Sequence, residues 1–433
     1  MKKLFYKRLV LPNGLTIILY PMEEIYTTFV VSHIRVGAIY EKQNERGISH
    51  FTEHATLLGT KKHPSPLALS CAEENIGARS DGATDRFSTQ YWIRLPYFNG
   101  GKGIVFLHDL IFEPFLDEEN ILKEKEVVLS EFNDFWHIPD RKFEYEVWKR
   151  RFSKEDHPYS FRTLGTPETI KQFDKRQVLS WRERYYHPKN MILTVAGNFR
   201  DNRIEEIVKK TFGQESGGVK VEEPKFASGD YSDFSFYVQE DPRPQIRFII
   251  TFPAFGFREF PRRKRLVLRL LNHIFGGGPA SRLFQRLREK EKFVYRVGSD
   301  FYLYPWMGDF EIWGSVPVEK LVLAMRAVKE EIDKLVKKGV SGEEVKQAKN
   351  FLSASTLMRF DNPEGIAYFL ASQEFDGEEI LMPERYINEA QKIAGEEING
   401  LAKEIFNYSK INIGLLGKVP SEILKEVEKI YQG

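Results

Sequence analysis

Between Gly213 and Asp233 the apolar periodicity found elsewhere in the chain stops, and Gly, Glu, Lys, Ser and Pro take its place. Such a stretch has no face with which to enter a core, so it reads as an exposed connector between two separately folded parts. At 433 residues the chain is also too long for one ordinary core. The expected organisation is an N-terminal domain over 1–215, a linker over 216–232 and a C-terminal domain over 233–433.

Both parts mix strand and helix signals. Leu9 to Leu19 reads as two strands around Asn13-Gly14, a pair that tolerates the positive φ angles of a tight turn. A β-rich run at 29–36 follows, and then Ile48, Phe51, Ala55 and Leu58 recur at helical spacing, with Gly59 placed to end the helix. Further helices are expected at 66–76, 117–135 and 167–186, and strands near 87–95 and 190–196. The second part restarts with a strand at 245–252, helices at 261–275 and 281–291, strands near 293–303 and 309–315, and long amphipathic helices at 317–338 and 342–360. The repeated order points to a diverged duplication, and the class is α+β: two similar domains, each an antiparallel-rich sheet with helices packed on it.

Composition removes several classes of function. The 64 basic and 62 acidic residues leave a formal net charge of +2, which gives no whole-chain drive toward nucleic acid or an anionic membrane. No apolar run reaches the ~18 residues that a spanning helix needs. The segment Met1 to Arg8 breaks its apolar run too early for a signal peptide, and the sole cysteine, Cys71, permits no intrachain disulfide. A cytoplasmic protein is expected, with neither nucleic acid nor membrane as a partner.

The chemistry centres on His50-Phe51-Thr52-Glu53-His54. Four residues separate the histidines, so on a helix both rings project from one face and can approach a single zinc ion. Glu53 beside them can take a proton from the water that zinc activates. The order is that of the inverted zinc-helix motif. A third ligand is sought in the helix over 117–135, where Glu124 and Glu131 lie two turns apart on a stripe with Ile121, Val128 and Phe135. Carboxylates on an apolar stripe need a cation, a proton or a metal as partner.

These residues resemble the inverted-motif zinc peptidases that include pitrilysin, insulin-degrading enzyme and mitochondrial processing peptidase, in a short two-domain form. The resemblance runs from Leu11-Pro12-Asn13-Gly14-Leu15 through Arg35 to Glu41, the helix ending at Gly59-Thr60, His157-Pro158-Tyr159 and Gly165-Thr166 to Val195-Ala196-Gly197-Asn198. It implies one zinc per chain held by His50, His54 and Glu131, with Glu53 as general base and Glu124 orienting a ligand from behind. It implies that Arg288 and Tyr295, in the second part, hold substrate carbonyls and stabilise the oxyanion. It also implies that Ser80, Asp81, Gly82, Ala83 and Thr84 form the edge strand that pairs with an extended substrate, although Asp81-Gly82 stands where the family commonly has Asn-Ala. Long members of the family enclose a chamber with four such domains; this chain resembles half of that clamshell, so a homodimer is expected in which Arg288 and Tyr295 complete the partner chain's site.

Two other readings compete. A non-catalytic assembly subunit of the same fold would lack part of the machinery, whereas His50, Glu53, His54, Glu131, Arg288 and Tyr295 are all present. A zinc lyase of the ribosylhomocysteine-cleaving type shares the inverted motif but takes cysteine as third ligand, for which Cys71 is the one candidate.

Overall fold

The computed structural model describes residues 6–152, 157–199, 203–226 and 231–432. Residues 1–5 and 227–230, which fall in the amino-terminal segment and the expected linker, lie outside the described residues. Two compact units emerge: the first comprises 1–135, 161–224 and 358–380, and the second 136–160, 225–357 and 381–433. Each half of the sequence thus contributes one helical segment to the unit built mainly by the other.

The first unit is built on a six-stranded sheet. Its strands are β1 (Lys7–Val10), β2 (Thr16–Pro21), β3 (Thr27–Ile34), β4 (Arg79–Thr84), β5 (Thr89–Pro96) and β6 (Met191–Gly197), arranged in the order β1-β2-β6-β3-β5-β4. The hairpin predicted at Asn13-Gly14 is present: Gly14 has φ +89°, and Asn13 Nδ2 donates to Phe212 O at 2.8 Å. β2 and β6 pair in parallel and every other neighbouring pair is antiparallel. β6 is buried along its whole length, and the helix Pro363–Phe375 packs on it from the late part of the chain. The helix expected over 167–186 is two helices, Pro167–Gln172 and Lys175–Tyr185. Phe173 is extended, and Asp174 starts the second helix by accepting from the Gln177 N–H at 2.7 Å.

The second unit repeats this plan. Its strands β7 (Ser235–Gln239), β8 (Gln245–Ala254), β9 (Arg296–Leu303), β10 (Gly308–Pro317) and β11 (Asn412–Leu416) lie in the order β7-β11-β8-β10-β9. β7 and β11 are parallel and the remaining neighbours antiparallel, which reproduces the sequence β2-β6-β3-β5-β4 step for step. The helix Pro139–Lys149, from the first half of the chain, packs on β11 as Pro363–Phe375 packs on β6. Two similar α+β units are therefore present, and the core of each lies between its sheet and its helices. Among the described residues no helix is long and apolar enough to cross a membrane.

Candidate metal centre

The helix Ile48–Thr56 is fixed at both ends. At its start Gly47 takes φ +90°, and a Cβ there would sit 2.7 Å from the Cα of Gly165, so two backbones touch where a side chain would separate them. The Glu41 carboxylate receives the N–H groups of Gly47 and Ser49 at 2.7 and 2.9 Å, which satisfies donors at the positive end of the helix. At its far end Arg182 Nη1 donates to Thr56 Oγ1 at 2.7 Å. Phe51 is fully buried against Phe173, and His50 and His54, on the neighbouring face, meet the helix Glu118–His137.

Glu131 of that helix meets both histidines. Its Oε2 lies 3.6 Å from His50 Nε2 and 3.6 Å from His54 Nε2, and one ligand atom from each residue falls within 4.8 Å of the others. These separations are too long for hydrogen bonds. They suit ligands of one ion, because bonds of ~2.0–2.1 Å at a tetrahedral angle hold donors roughly 3.4 Å apart. Two imidazoles and a carboxylate are also a donor set that zinc accepts with one position open. The stripe expected on this helix is buried at Ile121, Glu124 and Val128 but opens at Glu131, whose side chain is 45% exposed. The ligand set is thus at the mouth of the core rather than within it. Cys71, exposed on the helix Pro66–Asn75, is not part of the converging group.

The two histidines differ in protonation. Burial, with the neighbouring His54, pushes the His50 imidazole down to about 3, so it is neutral at ordinary pH. Burial acts on His54 in the same direction, but its hydrogen bond with Glu124 and the charges of Glu53, Glu124 and Glu131 raise it overall. His54 Nδ1 lies 2.7 Å from Glu124 Oε1. With its proton on Nδ1, His54 keeps the Nε2 lone pair toward Glu131.

Glu53 is buried, and burial pushes its carboxyl up to about 6. Thr84 Oγ1 donates to Glu53 Oε2 at 2.6 Å. Gly82, two residues earlier on the same face of β4, is pressed against the same side chain: a Cβ there would lie 2.8 Å from Glu53 Cγ and 2.9 Å from Oε1. Gly82 therefore makes room for the Glu53 carboxylate. Thr84, expected as part of the substrate strand, shares a face of β4 with Gly82, and its hydroxyl reaches Glu53. Ser80, Asp81 and Ala83 lie on the same strand, which is the end strand of its sheet.

Arg288 and Tyr295 belong to the second unit. Where a helix was expected over 281–291, residues Phe284–Lys290 form a π-helical turn, and Lys292 takes φ +53°, uncommon for a residue with a side chain. The Arg288 guanidinium lies 5.6 Å from the Tyr295 ring centre and 4.7 Å from that of Phe284. Tyr295 is 66% exposed, immediately before the end strand β9.

Fold and site together describe a duplicated α+β chain with the inverted histidine motif in its first unit. Residues 27–160 match the family model described as Insulinase (Peptidase family M16), and residues 172–352 match the one described as Peptidase M16 inactive domain. An uncharacterized zinc protease of Rickettsia felis is 32% identical over 92% of this chain and 94% of its own length. The uncharacterized zinc protease YmxG of Bacillus subtilis is 25% identical over 96% of this chain and 100% of its own. The fold is shared with a protease from Helicobacter pylori at TM-score 0.85 and 18% identity, covering 96% of this chain and 100% of that one. A peptidase M16 inactive domain from Pseudomonas fluorescens aligns at TM-score 0.86 and 18% identity, covering 96% and 98%. The chain belongs to peptidase family M16.

Proposed function

We propose that the chain is a zinc-dependent endopeptidase that hydrolyses peptides or unfolded polypeptides. The observation that carries this reading is the convergence of His50 Nε2, His54 Nε2 and Glu131 Oε2 beside the buried carboxylate of Glu53. A zinc ion held by these three groups supplies Lewis acidity, making a water easier to deprotonate and a peptide carbonyl easier to attack. Glu53 takes the water's proton and delivers it to the leaving amine; Thr84 holds Oε2 by a 2.6 Å hydrogen bond and leaves Oε1 for the transfer. Tyr295 donates to the developing oxyanion and Arg288 holds a substrate carbonyl. Residues Ser80 to Thr84 receive the substrate as an added strand through main-chain hydrogen bonds.

The chain carries the metal centre and the Arg288–Tyr295 pair on different units. With two units against the four of long family members, the functional assembly is a homodimer whose sites are completed in trans. Its location is the cytoplasm, a reading supported by the single cysteine.

Replacing Glu53 by Gln tests the mechanism. Zinc content should be unchanged while hydrolysis of a mixed peptide library falls by about a hundredfold or more. Turnover equal to wild type would remove Glu53 as the base. A second reading, a non-catalytic assembly subunit, draws on the word "inactive" in the description matched by residues 172–352. It requires that the zinc-loaded wild type cleave nothing in the same library.

A further inference from the structure

β4 is the last strand of its sheet, with β5 on one side and, among the described residues, no strand on the other. Ser80 and Gly82 are two residues apart, so their N–H groups point to one edge of the strand. Both donors are already occupied by carboxylates. The Ser80 N–H donates to Glu73 Oε1, from the helix Pro66–Asn75, and the Gly82 N–H donates to Asp81 Oδ1 at 2.8 Å. The register between β4 and β5 is unbroken from Arg79 opposite Arg94 to Thr84 opposite Thr89, which leaves no room for a carboxylate between them. Both capped donors therefore lie on the open edge.

An uncapped strand edge is a template for any extended chain, and natural sheets often shield such edges with charge. Here the shielded donors are the ones that an added strand would use, directly above Glu53, which Gly82 touches. We propose that Glu73 and Asp81 are displaceable caps on the peptide-binding edge: an incoming peptide must remove both carboxylates before its carbonyl oxygens can take the Ser80 and Gly82 N–H groups. This rests on the reading of β4 as the substrate strand. A carboxylate accepts an N–H more strongly than a peptide carbonyl does, so each cap opposes binding. The caps act before chemistry and therefore on KM. They also keep the edge from pairing with a second copy of itself, which makes Glu73 and Asp81 specificity-determining residues rather than substrate anchors.

The direction of the effect separates this role from a simple contact. Removing a residue that binds substrate raises KM, whereas removing a cap lowers it. In the full-length zinc-loaded protein, with a fluorogenic peptide chosen from the library cleaved by wild type, Glu73→Ala and Asp81→Ala should each lower KM by about threefold to tenfold, the worth of one hydrogen bond, with KM changing more than kcat. The double variant should lower it further. Glu73→Gln and Asp81→Asn, which keep shape and weaken the acceptor, should fall between and serve if the alanine variants fold poorly. Unchanged or raised KM in both pairs overturns the caps. Failure of the peptidase reading is distinct: it shows as wild-type turnover in Glu53→Gln, or as no cleavage by wild type.

Discussion

At the scale of single residues, one 2.7 Å contact between His54 Nδ1 and Glu124 Oε1 decides which ring nitrogen is offered to the ion. Without it the imidazole can adopt the other tautomer or turn, and partners of this kind are typically worth ten- to a hundredfold in metal affinity. Glu124→Ala should therefore weaken zinc binding by about that factor, measured by competition with a chromophoric chelator; an unchanged affinity would mean that Glu124 orients nothing. Thr84 makes the matching contact to the proposed base, Glu53. Thr84→Val should reduce kcat by about tenfold with KM little changed, and Thr84→Ser should restore it, because only the hydroxyl reaches Glu53. Unaltered kcat in the valine variant would count against the positioning role. The histidines were legible because helical spacing alone puts positions four apart on one face. The contact of Thr84 with Glu53 was not, since it joins a strand to a helix 31 positions away and no local period encodes it.

At the scale of elements, the helix Ile48–Thr56 depends on two glycine backbones in contact. Gly47→Ala must place a Cβ at φ +90° and against the Gly165 Cα, which should cost about 1–3 kcal/mol in strain and shift the ligand face. Urea unfolding read together with zinc content checks this, and stability and metal content equal to wild type would show the contact to be slack. β3 carries a different liability in His33, which burial and the nearby Arg35 push down to about 4. An unfolded histidine titrates near 6.5, so the unfolded state binds the proton first. His33 leaves stability whole above about pH 6.5 and erodes it progressively toward about pH 4. In zinc-loaded protein the urea midpoint should fall over that range, and His33→Phe should flatten the fall; equal slopes would exclude His33 as the cause. Element types followed from the sequence where the apolar period was long and regular, as in Leu321–Lys338. They did not where tertiary context decides. Phe284–Lys290 has the composition of an ordinary helix, and its π turn, like the positive φ of Lys292 just after it, shows only in the folded chain.

At the scale of the whole molecule, the duplication read from element order reappears as two sheets with the same succession of parallel and antiparallel neighbours. What the order of elements does not encode is which sheet a helix covers. Pro139–Lys149 carries an apolar face that would serve either unit, and it packs on β11. The helix Pro363–Phe375 packs on β6 of the first unit. One copy of the metal centre and one of the Arg288–Tyr295 pair per chain make the proposed homodimer with shared sites open to a quantitative test. Glu53→Gln and Tyr295→Phe disable opposite halves of a shared site. In a mixed dimer one site joins both lesions and the other joins an intact Glu53 to an intact Tyr295. After equimolar exchange, half of the dimers are mixed and each has one working site, so activity should recover to about a quarter of wild type. If each chain completed its own site, exchange would give only the average of the two crippled variants. Exchange verified by mass, with activity no higher than that average, would refute the shared site and leave each chain to complete its own.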